Sequence, residues 1–279
     1  VLAYDWGMES LPKFLESELS RGRAYFSKVA AQHALELGDD AFQAAITRLA
    51  RKGYVASPRR GFYLILRPED RALGAPDPAR WIDPLMRHVG LDYRVSLLRA
   101  AAFHGASHQA AMAFQVILPR QLRSIEIGRQ RVEFIYQTPS RFAEVNRATW
   151  LAQLKTEAGF AQIAGVELTL LDVCRYYHRS AGSAGAAQVV HNLGAKANPR
   201  LLAEAARSYE NSSVRRLGYF LELYGHRRQA LALKSIAKSA KSYKELDPAS
   251  RPVVPELSAP GEKNAEWMLL INVPVEIDP

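Results

Sequence analysis

Apolar positions near the start of the chain recur at helical spacing in three successive runs. Leu11, Phe14, Leu15 and Leu19 form the first, bounded by Ser10 before it and Arg21-Gly22 after it. Phe26, Val29, Ala30, His33 and Ala34 form the second, with Ser27 placed to cap it and Gly38 breaking the pattern. Asp39 can cap the third, where Phe42, Ala45, Ile46 and Leu49 share one face until Gly53. From Tyr54 to Leu66 the period shortens around Ser57-Pro58-Arg59-Arg60-Gly61, which predicts a β-hairpin. Three short helices followed by a hairpin with a basic tip is the order of a winged helix-turn-helix.

Pro68, Pro76, Pro78 and Pro84, set among small and charged residues, give 68–84 the composition of a linker. The division expected is therefore 1–67, a linker over 68–84, and a larger mixed α+β domain over 85–279. In that domain a helix is predicted over Tyr93–Phe103, then strands over Phe114–Leu118, Ser124–Ile127 and Gln130–Tyr136. Thr149–Lys155 and Phe160–Ile163 carry weaker strand patterns, and Val166–Tyr177 returns to helix. A C-terminal helical cluster follows, over Ala187–Leu193, Pro199–Ser208, Val214–Tyr224 and Arg227–Ala240, before a Pro-rich tail and a strand-like run over Trp267–Val275. The fold class expected is α+β, sheet first and helices later.

Composition narrows the function. Of 279 residues, 48% are hydrophobic and 23% charged, as in globular proteins, which excludes wholesale disorder and collagen. A single cysteine cannot close an intrachain disulfide. No run approaches the roughly 20 apolar residues of a spanning helix. Val1–Glu9 lacks a signal-peptide pattern, so a cytoplasmic location without a membrane partner is expected. Lys and Arg (37) outnumber Asp and Glu (28), for a net charge of +9, which favours polyanionic partners.

At about 100° per residue the third helix turns Asp40, Gln43, Ala44, Thr47 and Arg51 away from its apolar face. Small polar groups near a helix start suit base edges: Gln43 can pair with adenine, and Thr47 can meet a base edge or a thymine methyl. Arg48, Arg51 and Lys52 lie further along, suited to phosphate, and Arg59 and Arg60 sit at the hairpin tip. Solvated charge on a helix face explains Arg48, Arg51 and Lys52 as well, until the basic hairpin is set beside them. A second basic surface is expected from Lys234, Lys238, Lys241 and Lys244, spaced as one helix stripe, with Arg215, Arg216, Arg227 and Arg228 before it and Tyr243 nearby to stack on a base. A solvated face is the alternative for that stripe.

Catalytic, metal and cofactor signatures are weak. His104 and His108 lack the glutamate of a zinc motif, and Glu167 and Asp172 diverge around a helix. A metal-dependent nuclease would want a Glu-x-Lys pair; the nearest match sets Glu133 beside Gln153-Leu154-Lys155, where the needed carboxylate is an amide. Cys174 lies in an apolar helix, as a small core residue does. Gly182-Ser183-Ala184-Gly185 reads as the loop into a helix. No metal, cofactor or catalytic residue is assigned. A nucleic-acid-processing enzyme targeted by the winged helix stays as the alternative function.

The segment Leu49-Ala50-Arg51-Lys52-Gly53-Tyr54 with Arg60-Gly61-Phe62-Tyr63 resembles the N-terminal domain of AbiE-type antitoxins, transcriptional regulators of type IV toxin-antitoxin systems. The run from Ser96 to Gln109 before Phe114-Gln115-Val116, and Val166-Glu167-Leu168-Thr169-Leu170-Leu171-Asp172, resemble the same family more specifically. The resemblance implies a non-enzymatic repressor that binds operator repeats in its own promoter as double-stranded DNA. It also implies an antitoxin over 85–279 that counters a nucleotidyltransferase toxin.

Overall fold

The computed structural model describes residues 10–106, 113–157, 159–250 and 261–275. At the N-terminus, α1 (Leu11–Ser20) buries Leu11, Phe14, Leu15 and Glu18 on one face, then ends at Arg21 and a left-handed Gly22. The next residues are not helical: Tyr25–Ser27 form a short strand, β1. Phe26 was expected in the second helical face. It sits instead edge-on to Phe14 at 5.7 Å and stacks on Tyr63 at 5.2 Å. Ser27, whose Oγ accepts from Ala30 N–H at 3.1 Å, fixes the start of α2 (Lys28–Leu35) one residue later.

Helix α3 (Asp39–Arg51) is capped by Gly38 rather than Asp39. The Asp39 carboxylate accepts from Gln32 Nε2 at 2.8 Å and meets Lys28 Nζ at 3.0 Å, tying α2 to α3. These contacts, Gln32 before Lys28, hold its pKa below the usual carboxylate value. Strands β2 (Val55–Arg59) and β3 (Phe62–Ile65) complete an antiparallel sheet of order β1-β3-β2. Phe42, Ile46, Val55 and Ile65 join Phe14 and Phe26 in the core of this region.

The stretch 68–84, linker-like in composition, is folded. Helix α4 (Pro68–Arg71) and a 3-10 turn (Pro78–Arg80) lead into α5 (Ile82–Val89), and Pro68 and Pro78 each occupy a first helical turn, where the missing N–H costs nothing. Trp81 is fully buried, and its Nε1 donates to Pro76 O at 3.0 Å. Phe62 and Leu64 of β3 share one hydrophobic cluster with Trp81, Leu85, Val95 and Val116, so a single core runs from the N-terminal sheet into the larger one.

That larger sheet has six strands in the order β6-β7-β5-β4-β9-β8. They are β4 (Arg94–Val95), β5 (Phe114–Leu118), β6 (Ile125–Ile127), β7 (Gln130–Tyr136), β8 (Leu151–Thr156) and β9 (Gly159–Ala164). β5 is buried along its whole length, and its alternation divides two cores. Phe114, Val116 and Leu118 face the cluster shared with α5, whereas Ile117 faces the helical side. The helix expected over Tyr93–Phe103 shortens to α6 (Leu97–Phe103), because Arg94 and Val95 pair with Ile117 and Val116.

On the helical side lie α7 (Pro139–Val145), α8 (Val166–Arg175), α9 (Gly182–Leu193), α10 (Pro199–Ala206), α11 (Asn211–Leu223) and α12 (Arg227–Ala237). Gly182-Ser183-Ala184-Gly185 is the first turn of α9 itself, entered through Ala181 at φ 58°. A small sheet of β10 (Lys244–Glu245), β12 (Leu269–Ile271) and β11 (Glu262–Asn264) closes this side, with the fully buried Trp267 against Gly218 of α11. Among the described residues no helix is long and apolar enough to cross a membrane.

Candidate nucleic-acid interface

Helix α3 buries Phe42 and Ile46 and turns Asp40, Gln43, Ala44, Arg48, Arg51 and Lys52 to solvent. Thr47 is half-buried; its hydroxyl donates to Gln43 O at 2.7 Å, and Gln43 Nε2 approaches it at 3.4 Å. The two candidate base-reading side chains are thus held beside each other one turn apart. Arg48, Arg51 and Lys52 have no salt-bridge partner among the described residues, so their charge faces outward.

The hairpin tip separates its two arginines. Arg60 is exposed. Arg59 instead turns inward: its Nη2 donates to Arg123 O at 2.8 Å and its guanidinium lies 5.9 Å from the Phe134 ring centroid. On the other side His88 Nε2 sits 3.2 Å from Arg60 O and its ring leans on Phe62 at 5.4 Å. The tip is therefore clamped between α5 and the β5–β6 connection. Of the two arginines expected at the tip, the half-buried Arg59 acts in that clamp and Arg60 stays exposed. Arg123, exposed next to it, is a basic residue that nothing in the local sequence marked.

The C-terminal lysine stripe does not exist as one helix face. Asn211 Nδ2 takes the Ile236 carbonyl at 2.8 Å, and α12 ends at Ala237. Lys238 is left at the helix end, Lys241 lies beyond it, and Lys244 opens β10. Lys234 is neutralised by Glu266, with Glu222 at 3.9 Å. Tyr243 already has Lys263 Nζ 5.8 Å from its ring. Arg215 and Arg216 are buried: Arg216 donates to Leu246 O and Cys174 O, both at 2.7 Å, and Arg215 donates to Ser242 O and Met268 O. Burial lowers the pKa of Arg216, and the pair serves as scaffold for the small sheet.

The groups weighed for catalysis lie apart. Glu133 on β7 pairs with Arg179, while Gln153 and Lys155 stand on β8, four strands and roughly 19 Å away. His104 Nε2 is 2.7 Å from Ala164 O, and His108 lies outside the described residues. Glu167 accepts from Asn198 N–H at 2.7 Å. Cys174 is fully buried, and burial pushes its thiol up to about 12.

Asp172 is the centre of a different arrangement. Fully buried, it accepts from Arg94 Nε and Nη2, both at 3.1 Å, and from the hydroxyls of Ser96 and Tyr209, both at 2.7 Å. Arg94 Nη2 also donates to Gln137 Oε1 at 3.0 Å, and its guanidinium lies 5.5 Å from the Phe142 ring centroid. Burial opposes the Arg94 charge, but Asp172, followed by Tyr209, outweighs it and raises the pKa. Burial first, and Asp172 second, push the Tyr209 hydroxyl well above its ordinary value. One carboxylate thus joins β4, α8 and the segment after α10. Buried ion pairs of this kind fix one arrangement of elements more than they add net stability.

The chain thus joins an exposed polar and basic helix face on a small helical unit to an α+β body built around a buried ionic centre. Residues 94–223, which begin at Arg94 and include Asp172 and Tyr209, match the AbiEi antitoxin C-terminal domain family. No curated protein matches the chain. The fold is similar to the crystal structure of the RV2827C protein from Mycobacterium tuberculosis, at 15% identity and a TM-score of 0.65, over 92% of this chain and 89% of that one.

Proposed function

We propose that this chain is a non-enzymatic, DNA-binding autorepressor and antitoxin of a cytoplasmic toxin-antitoxin system. Residues 1–67 are read as a winged helix-turn-helix, with α3 in the major groove of operator repeats in its own promoter and Arg60 on the neighbouring backbone. Residues 85–279 are read as the part that counters a nucleotidyltransferase toxin. The observation that carries the DNA half is the outward face of α3, where Gln43 and Thr47 sit beside Arg48, Arg51 and Lys52 with no intramolecular neutralisation among the described residues. The antitoxin half is supported by the family of residues 94–223.

The test uses the full chain and the DNA upstream of its own gene, titrated by fluorescence anisotropy at several salt concentrations. Three or four neutralised phosphates give a slope of log affinity against log salt of about −2.7 to −3.6. Gln43→Ala is expected to cost about 1–3 kcal/mol on the operator and little on random duplex, whereas Arg60→Ala weakens both alike. A salt-independent interaction, or equal losses on both DNAs for Gln43→Ala, refutes base reading by α3. Growth during toxin expression, with and without this chain, tests the antitoxin half.

A further inference from the structure

A cleft of about 520 Å³ opens between α1, α2 and β1 on one side and α5 on the other, within the size range of small-molecule sites. Its floor is aromatic: Phe14, edge-on to Phe26, and Phe62 are buried beneath it, the half-buried Tyr25 stacks on Phe62 at 5.6 Å, and Ala30 and Ala34 are exposed alongside. Its rim is cationic. Arg21 and Arg23 both lean on Glu18, at 3.1 and 3.3 Å, with side chains 61% and 50% exposed. One carboxylate balances only one of two guanidinium groups, and each guanidinium has five N–H donors, of which Glu18 engages a single nitrogen on each. A positive charge with free donors is therefore held at the mouth of an apolar slot.

We propose that this cleft binds a small aromatic carboxylate, its ring over Tyr25, Ala30 and Ala34 and its carboxylate on Arg21 and Arg23. A neutral hydrocarbon would leave the cationic rim unused, and a polyphosphate would leave the apolar lining of Tyr25, Ala30 and Ala34 unused. A planar acid matches both, since guanidinium groups bind carboxylates in a bidentate fork. The position also makes the ligand an effector. Ala30 and Ala34 of α2 line one wall, and α2 is tied to α3 through Gln32 and Asp39; His88 lines the other and reaches Arg60 O at the hairpin tip. Occupancy is thus felt at both supports of the α3 face, and this last step rests on the DNA reading above.

The test is calorimetric titration of the full chain with benzoate, indole-3-acetate and 1-naphthoate, beside the neutral 1-naphthalenemethanol. At least one acid is expected to bind with 1:1 stoichiometry, and 1-naphthalenemethanol about ten-fold or more weaker than 1-naphthoate. Ala34→Trp, at an exposed helix position whose side chain fills the cleft, abolishes binding while the melting curve shows an intact fold. Leu231→Ala, at an exposed apolar site on α12, leaves binding unchanged. No saturation by any of the three acids up to about 10 mM overturns the site, as does equal affinity for the neutral compound or unchanged binding by Ala34→Trp. With the acid saturating, operator affinity is expected to change about five-fold or more, and an unchanged affinity overturns the effector role. A chain that binds the acid but no DNA at all refutes the DNA reading and with it the effector role, and leaves the cleft assigned.

Discussion

Replacing Asp172 by leucine keeps most of the side-chain volume and leaves Arg94 charged at a position with no exposure. Removing one partner of a buried ion pair costs about 3–5 kcal/mol. The Ser96 and Tyr209 hydroxyls also lose their acceptor, at about 1 kcal/mol each when they find no substitute. The expected loss is about 5–7 kcal/mol, a large share of the roughly 5–15 kcal/mol that stabilises a typical domain. With about 2.1 cal/mol/K of unfolding entropy per residue over 279 residues, that loss lowers Tm by about 9–12 °C. The mechanism makes a sharper statement through a cycle of Asp172→Leu, Arg94→Met and the double variant. The double variant removes both charges, so it is expected to be more stable than Asp172→Leu alone, with coupling of about 2 kcal/mol or more. Urea unfolding followed by tryptophan fluorescence measures all three. A single-variant loss under about 1 kcal/mol, or a double variant at the sum of the singles, refutes the stranded-charge argument.

Three further outcomes are expected. Cys174, the single cysteine, should not react with a thiol reagent at pH 8 in the native protein and should yield one equivalent after denaturation, because burial pushes its thiol up to about 12; reaction in the native state contradicts the packing of α8. Gly218→Ala sets a methyl group against the Trp267 ring and should cost about 1–3 kcal/mol, with a shift in tryptophan emission as the ring is displaced; an unshifted spectrum contradicts the close approach. Asp39 should titrate below 3.8 in an NMR experiment, and Gln32→Ala should move the midpoint upward. Since the folded-state pKa is the depressed one, the advantage of the native protein over Gln32→Ala is full above pH 3.8 and disappears as pH falls through the folded value. A difference in stability that persists at lower pH would show that Gln32 acts by another route.

What the sequence made legible is what depends on neighbours in the chain. The faces of α1 and α3 and the hairpin followed from spacing, and the outward side of α3 from helix geometry alone. Strand β1 was hidden because three residues carry almost no period and Phe26 fits a helical face as well as a strand. Arg94 and Val95 read as the start of a helix because the partner that accounts for a buried arginine, Asp172, lies 78 residues further on. Arg59 looked like a wing-tip cation for the same reason: its acceptor on Arg123 is 64 residues away. The lysine stripe kept helical spacing past Ala237, but Asn211, from another helix, takes the carbonyl that would have carried the helix onward. Proline-rich composition over 68–84 could not tell a free linker from a series of helix starts, since proline serves both.

The cluster that joins Phe62 and Leu64 to Trp81 and Val116 bears on how such a protein can be rebuilt. Cutting the chain after Leu66 would bare two large apolar side chains of β3, so the excised piece carries a sticky face that the intact protein never shows to water. Transplanting another reading head onto this body faces the same difficulty in reverse, since a donor unit must bring apolar residues at both β3 positions and a backbone carbonyl where His88 can meet it. A chimera designed on domain boundaries alone would fail at this seam. One that carried the residues through α5, up to Val89, together with the head would transfer much of the matching surface with it.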